Sequence, residues 1–466
     1  MRESDTAVAE SGPVVDLDDL VVRFPEGCVI TDPERMDKYR WDRALDPDAG
    51  MPLAVVRAES TEHVQTALRF AAAHNIAVIP RGAGTGLSGG ASAQDGCLVV
   101  CTERMRDITI DTATRTATVQ PGLLNAEVKA AAAEHGLWYP PDPSSFEICS
   151  IGGNVATNAG GLCCVKYGVT VDYVMGLTVV LADGSVVELG GPRIKDVAGL
   201  PLLKLFVGSE GVLGIVTSVT LRLVPALQAP HTLVATFASL DDAMATVLAV
   251  TASLRPAMLE FLNQTSIRAV EDHTRMGLDR DAEAMLLMQT DESSERAAQE
   301  IAQLQACCEA TNAKECFSTD DPAEGAQFVA ARREVIPAVE KLGTLLLEDV
   351  GVPLPQLADL VRGIAAIAAR RDVVIPVVAH AGDGNTHPLL VVDPNDPDQA
   401  RRAETAYGEI IDLAISLDGT ITGEHGIGRL KRPWLADQLG PEVMALNQRI
   451  KAALDPQGIL NPGAAI

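Results

Sequence analysis

The sequence predicts an α+β fold. Three observations predict it. Between residues 51 and 226, short apolar runs alternate with helical stretches in a β-α-β pattern. After the prolines at 225 and 230, a second strand–helix rhythm begins. Between the apolar runs lie long glycine-rich segments, which suit loops carrying a site better than packed elements.

Residues 1–50 form an irregular lead segment with helical scraps near Asp32–Arg43. Leu53–Arg57 is the first strand. Thr61–His74 follows as a helix, with Val64, Ala67, Leu68 and Ala71 at helical spacing. Strands are expected at Ala77–Pro80, Cys97–Cys101 and Thr116–Val119, and a helix at Leu124–His135. Val174–Leu181, the Asp183-Gly184 turn and Val186–Leu189 predict a hairpin. A strand-rich stretch, Val212–Val224, closes a domain over 51–226 that is built in two halves.

Beyond it, strands at Thr232–Phe237 and Ala284–Gln289 alternate with helices at Leu240–Leu254 and Ser294–Ala310. This is the rhythm of an antiparallel sheet covered on one face. Gln327–Val339 is helix-like. Val373–Ala379 and Leu389–Val392 are apolar strands flanking a Gly-Asp-Gly-Asn turn, and helix Gln399–Leu417 precedes the last segment.

Composition narrows the function classes. With 466 residues, 47% hydrophobic and 21% charged, the chain is globular and expected to hold at least two domains. A net charge of −26 argues against nucleic acid and anionic membrane surfaces as partners. No run of 18 apolar residues occurs, and Met1–Leu20 lacks the charged-then-apolar pattern of a leader. The expected location is the cytoplasm. Nine cysteines contain no C-x-x-C pair, so reduced thiols are expected rather than a cluster or zinc ribbon.

Three glycine-rich segments suggest close backbone approach to a ligand. The first is Pro80-Arg81-Gly82-Ala83-Gly84-Thr85-Gly86-Leu87-Ser88-Gly89-Gly90, after a strand. Its amides suit a phosphate. Gly84-x-Gly86-x-x-Gly89 matches the dinucleotide fingerprint in letters, but no helix pattern opens after it, so a Rossmann unit is not expected. The second, Ile151–Gly161, offers exposed amides and a hydroxyl suited to a flat polar ring or a pyrophosphate. The third is Gly208–Ile215, before a strand.

The chain has eight histidines, and three fall in two short loops, His380–His387 and Thr422–Gly428. His380, His387 and Glu424 give two imidazoles and a carboxylate, a set that holds a divalent metal with positions left open. Zinc suits these ligands best, with manganese or iron as alternatives. His425 then stands beside the metal as a base. Asp383 and Asn385 read as turn-formers, because Pro394 occupies the twelfth position of any EF-hand loop starting at Asp383.

Together these segments, with Asp455-Pro456 and Gly458-Ile459-Leu460-Asn461-Pro462-Gly463 at the C-terminal end, resemble the FAD-linked oxidases of the vanillyl-alcohol-oxidase type. More narrowly they resemble the D-2-hydroxyacid dehydrogenase branch: glycolate oxidase FAD subunit, D-lactate dehydrogenase and D-2-hydroxyglutarate dehydrogenase. The resemblance implies a two-subdomain FAD-binding (PCMH-type) domain at 51–226. It implies a substrate or cap domain at 227–420, with an antiparallel sheet covered by helices, and a C-terminal segment, 421–466, returning to the flavin. By position, Pro80, Arg81, Gly82, Ala83, Gly84, Thr85, Gly86 and Gly89 would hold the pyrophosphate. Gly152, Gly153, Asn154, Thr157, Gly160 and Gly161 would line the cofactor. Gly214, Ile215 and Asn461 would approach the ring system. Some relatives attach FAD through a histidine; none lies in residues 75–134, so non-covalent FAD is expected.

The activity implied is oxidation of a small D-2-hydroxyacid to the 2-oxoacid, with hydride passing to flavin N5. The metal would bind the hydroxyl and a carboxylate oxygen, and His425 would take the proton. An anionic substrate needs an arginine, and Arg332 takes that place by counting back from Asp349-x-x-Val352-Pro353. D-2-Hydroxyglutarate members carry a lysine and an asparagine where this chain has Leu347 and Leu389, which favours lactate or glycolate. A D-2-hydroxyglutarate-type dehydrogenase, a metal-dependent hydrolase without flavin, and a non-catalytic nucleotide-binding subunit are the alternatives. Without cluster ligands in the chain, electrons leave to a separate acceptor such as an iron–sulfur partner protein or a quinone.

Overall fold

The computed structural model describes residues 16–466, so most of the Met1–Leu20 reading falls outside it. The N-terminal lobe holds two larger sheets. The first runs in the order Val29–Ile30, Ala54–Arg57, Leu98–Cys101, Val78–Arg81, with the last three strands parallel. Helix Thr61–His74 makes the crossover. Its bounds follow from local chemistry: the Ser60 side chain accepts the His63 N–H at the start, and Asn75 adopts a left-handed φ of 51° at the end.

The second sheet is antiparallel, in the order Ile108–Asp111, Thr116–Val119, Ile215–Arg222, Val174–Val180, Val186–Gly190. Ile215–Arg222 alternates buried and half-buried residues, as a strand with one core face must. The sequence reading has no strand at Ile108–Asp111. That run is four residues long and buries no side chain fully, so its apolar signal is weak.

The second lobe carries an eight-stranded sheet. Its main path runs Glu315–Thr319, His231–Phe237, Ala284–Thr290, Met258–Asn263, Val377–His380, Asn385–Val392, Thr344–Leu347, and Val350–Gly351 also pairs with Asn385–Val392. Helices cover both faces, where the sequence rhythm predicts one. Leu233, Phe237, Phe261 and Leu286 pack with Val247 and Ile364 on one side. Val234, Leu262 and Leu287 pack with Ile267, Val270 and Val335 on the other. Ala284–Thr290 explains the difference, since it is almost continuously apolar and buried, the signature of a strand sandwiched between layers.

The single helix expected over Gln327–Val339 is two, Pro322–Arg333 and Val335–Glu340. The last long helix, Arg432–Leu454, is broken at Gly440 (φ 76°) before Pro441. The chain then re-enters the N-terminal lobe. Val78 N–H donates to Ile459 O at 2.7 Å, and Asn461 N–H donates to Val78 O at 2.8 Å. Ile459 and Leu460 pack with Val78, Leu98 and Val100.

Candidate active site

The site begins with a hairpin. Val377–His380 and Asn385–Val392 pair antiparallel, placing His380 opposite Asn385 and Val378 opposite His387. The histidines are therefore diagonal neighbours on one face, not the facing strand ends that the sequence suggests. The turn closes through Gly384 at φ 85°, where a Cβ would lie 2.2 Å from Val352 O. Glu424 reaches both rings from the C-terminal loop: its Oε1 is 3.2 Å from His380 Nε2 and 3.2 Å from His387 Nε2. Donor atoms of these three residues all lie within 4.8 Å of one another.

The electrostatics fit a cation at this point. Burial opposes charge on His380, yet Glu260 and Glu424, one on each ring nitrogen, hold its pKa well above the usual value. Glu424 is held well below the carboxylate range, because His380 and His387 outweigh its burial. Each imidazole also has support behind it. Glu260 Oε1 lies 2.7 Å from His380 Nδ1, and Asp349 Oδ1 lies 3.7 Å from His387 Nδ1. Carboxylates in that position orient metal-ligating imidazoles and fix their tautomer.

His425 stacks on His387, with ring centroids 4.9 Å apart and planes 13° apart, and its Nε2 is 4.0 Å from Glu424 Oε1. Burial pushes its pKa down to about 4, so the ring is neutral near pH 7. The loop carrying it is built around Asp349. One oxygen, Oδ2, accepts the N–H groups of Gly423, Glu424 and His425 at 2.9, 3.0 and 2.9 Å, and the Thr422 hydroxyl at 2.6 Å. Buried Lys431 braces the same loop by donating to Asp349 O and Ile421 O.

Arg332, at the end of Pro322–Arg333, is only 5% exposed. Its Nη2 sits 2.8 Å from Glu260 Oε2, so Glu260 serves His380 with one oxygen and Arg332 with the other. That contact lacks hydrogen-bond alignment, and Arg332 Nε and Nη2 make no hydrogen bond. Leu347 lines the cavity, whereas its cross-strand neighbour Leu389 is fully buried.

A single cavity of about 880 Å³ joins the glycine segments to this cluster. Its wall includes Pro80 to Ser88, Gly152, Gly153, Asn154, Thr157, Gly160, Gly214, Ile215, and also Arg332, His387, Glu424 and His425. Not every expected residue faces it. Gly89, Gly161, His380 and Asn461 are not part of its wall. Asn461 donates to Gly90 O and Glu210 O, tying the C-terminal segment to two wall loops. The Arg81 guanidinium folds beneath Gly84 and donates to Ala91 O. The second glycine segment, read as an open ligand-binding stretch, is in part a helix, Ile151–Thr157. Ser150 caps it by accepting from Gly153 N–H, and the same oxygen accepts from Ala83 N–H, locking the first two segments together. A Cβ at Gly160 would stand 2.5 Å from Glu424 Oε2, so the cofactor-side segment touches the metal-side carboxylate directly.

Glu210, Glu260 and Asp349 have no role in the sequence reading, where Asp349 is only the landmark for Arg332 and Glu210 only part of the third glycine segment. Glu260 had a usable signal, a lone acid inside the apolar run Met258-Leu259-Glu260-Phe261-Leu262. Asp349 is one of two adjacent acids, Glu348-Asp349, that end the apolar run Leu345-Leu346-Leu347.

Comparison with known proteins decides the family. Residues 227–465 match the model described as FAD linked oxidases, C-terminal domain, and residues 52–190 match the FAD binding domain. The chain belongs to the FAD-linked oxidases. Among curated relatives, the glycolate oxidase subunit GlcD of Bacillus subtilis is 42% identical over 91% of this chain and 91% of its own length. The D-lactate dehydrogenase of Archaeoglobus fulgidus is 35% identical over 92% and 96%. The fold matches p-cresol methylhydroxylase (TM-score 0.81, 17% identity) and the 4-ethylphenol oxidase of Gulosibacter chungangensis (TM-score 0.81, 19% identity), each over 96% of both chains. These matches agree with the PCMH-type architecture expected above. A Cβ at Gly82 would collide with Ser150 and one at Gly152 with Pro121, so glycine backbone lines the cavity there, which fits the family's cofactor.

Proposed function

We propose that this FAD-linked oxidase oxidises a small D-2-hydroxyacid of the lactate or glycolate type to the 2-oxoacid. The observation that carries the reading is the continuity of one cavity from the glycine segments to His387, Glu424, His425 and Arg332. The names of the relatives support it: glycolate oxidase, D-lactate dehydrogenase and D-2-hydroxyglutarate dehydrogenase.

The chain's own residues do the following. Pro80 to Gly86, Gly152, Gly153, Asn154, Thr157, Gly160, Gly214 and Ile215 hold FAD without a covalent bond, and Gly89, Gly161 and Asn461 lie outside that wall. Bound there, FAD supplies the acceptor, N5, for the hydride leaving the substrate carbon. His380, His387 and Glu424 hold a divalent cation, zinc before manganese or iron, which as a Lewis acid lowers the pKa of the substrate hydroxyl. Arg332, on the cavity wall and paired with Glu260, is the cation for the substrate carboxylate. His425 accepts the hydroxyl proton at Nε2, and such general-base help contributes ~10²–10⁴-fold. A separate acceptor, an iron–sulfur partner protein or a quinone, would take the electrons.

On this reading 51–226 is the cofactor domain, 227–420 the cap and 421–466 the segment that completes both. The compartment proposed is the cytoplasm, where the nine free cysteines would stay reduced. No helix among the described residues is long and apolar enough to cross a membrane. Leu347 on the cavity wall disfavours a second substrate carboxylate, hence the preference over D-2-hydroxyglutarate.

The test is anaerobic flavin reduction across D- and L-hydroxyacids, before and after chelation. D-Lactate or glycolate should bleach the flavin, chelation should stop bleaching, and His425→Ala should keep FAD yet remain oxidised. Rapid bleaching by His425→Ala removes the base assignment; bleaching after complete metal removal removes the metal.

A further inference from the structure

Glu210 is a buried acid without a part in the chemistry above. It lies between Gly208 and Gly211 on the cofactor side, 9% exposed, with a left-handed φ of 47°. Its carboxylate reaches across to the C-terminal loop. Oε1 accepts the Ile427 N–H at 2.8 Å, and Oε2 accepts the Gly428 N–H at 2.8 Å. The surroundings are shaped to it: a Cβ on Gly90 would stand 3.1 Å from Oε2, and one on Gly426 would stand 3.0 Å from Oε1.

No cation pairs with this carboxylate among the described residues; the charge beside it is another acid, Asp42. Burial lifts its pKa to about 7, so ionisation there is costly. A hydrophobic or amide side chain would avoid that cost. What neither offers is two acceptor oxygens for two successive amides.

From the other lobe, Asp349 Oδ2 takes the amides of Gly423, Glu424 and His425, and Thr422 Oγ1 takes that of Gly426. Every amide from Gly423 to Gly428 thus ends on a side-chain oxygen. The changeover from the cap's Asp349 to the cofactor lobe's Glu210 falls just after His425. We infer that Glu210 is a positioning residue for His425: it fixes the loop from the cofactor side, so the imidazole keeps its placement only while both lobes grip the same seven-residue stretch. The inference rests on His425 being the base. It also ties base placement to the cofactor, because Glu210 and its neighbours Ser209 and Gly211 form part of the cavity wall.

The experiment uses the FAD-loaded full chain with Glu210→Gln, which keeps the size but turns one acceptor into a donor facing an N–H. FAD content should match the parent. The rate constant for anaerobic flavin reduction by D-lactate or glycolate should fall at least ~10-fold, an effect of the size expected when a reacting group is misplaced by a fraction of an ångström. The apparent substrate Kd should stay within about threefold, since the metal ligands and Arg332 are untouched. Amide exchange should quicken at 425–428 and stay parental across 380–387. If Glu210→Gln does not retain FAD, Gly426→Ala, which displaces the carboxylate from the loop side, must give the same pattern. Reduction within threefold of the parent, or unchanged exchange at 425–428, overturns the inference. His425→Ala run in parallel separates the two failures. If it still reduces flavin at the parental rate, the base reading has failed. If it is inert while Glu210→Gln and Gly426→Ala are fast, only the role of Glu210 has.

Discussion

Gly160→Ala tests whether the cofactor segment and the metal cluster share a contact surface. The added Cβ would meet Glu424 Oε2 at 2.5 Å and Cys164 Sγ at 3.3 Å. An unstrained contact needs about 3.5 Å or more, so the carboxylate must retreat by about 1 Å. A free glutamate would swing aside at little cost. This one cannot, because its Oε1 is held between His380 and His387 at 3.2 Å each. A displacement of about 1 Å in a reacting constellation costs about 10²-fold, or about 2.7 kcal/mol of barrier. The assay has three readings on one sample: flavin absorbance, metal content by elemental analysis, and the rate of anaerobic reduction. Flavin should remain, metal should fall below one per chain or bind more weakly, and reduction should slow by about two orders of magnitude. Gly160→Ala protein with full metal and a parental rate would refute the reasoning, since it would mean that Glu424 has room the structure denies it.

Three further outcomes follow from the geometry. Glu260→Gln leaves Arg332 buried beside an amide and removes the carboxylate behind His380. Unfolding free energy should drop by about 3–5 kcal/mol and metal affinity by about 10–100-fold; competition with a coloured chelator checks this, and unchanged affinity would exclude Glu260 as the support of His380. Leu347→Lys puts a cation on the cavity wall and should raise kcat/KM for a five-carbon dicarboxylic 2-hydroxyacid, relative to lactate, by about tenfold, equal to about 1.4 kcal/mol; a steady-state ratio that does not move would take Leu347 out of substrate selection. Glu409 is held at about 2, below its usual 4.5, by hydrogen bonds from Arg371 and then Arg370. Its contribution is present above about pH 4.5 and is lost as pH falls towards 2. The ion pair is partly exposed, so Glu409→Gln should cost less than about 1 kcal/mol at pH 7, and the difference in Tm should shrink as the pH approaches 2; a pH-independent difference would contradict the sign.

Where local chemistry decides an element, the sequence is readable. Thr61–His74 has the same bounds in both readings, because Ser60 and Asn75 cap it through neighbours in the chain. Ile151–Thr157 is not readable, since two glycines weaken it as a helix. It forms because Ser150 caps it and Gly152 lies against Pro121, a contact made only in three dimensions. The histidine pair and Glu424 stand out by residue type alone. Of the acids that organise them, only Glu260 leaves a mark, as a lone acid in an apolar run. Glu260 interrupts an apolar strand and hides the strand Met258–Asn263 from a periodicity reading. Asp349 and Glu210 bind backbone amides, whose positions no residue type announces. The glycine segments mark the cavity, but which glycines face it depends on turn geometry, so Gly86 reaches the wall and Gly89 does not.

The pairing of Val78 with Ile459 and Asn461 has a consequence for biosynthesis. The first glycine loop hangs from a strand whose outer neighbour is translated about 380 residues later. At ~5–20 residues per second, that is a wait of roughly 20–80 s during which the nascent N-terminal lobe has an open flank. Vitamin-derived cofactor should therefore be captured late, after translation has passed Asn461, and ribosome-stalled chains ending before that point should emerge without colour.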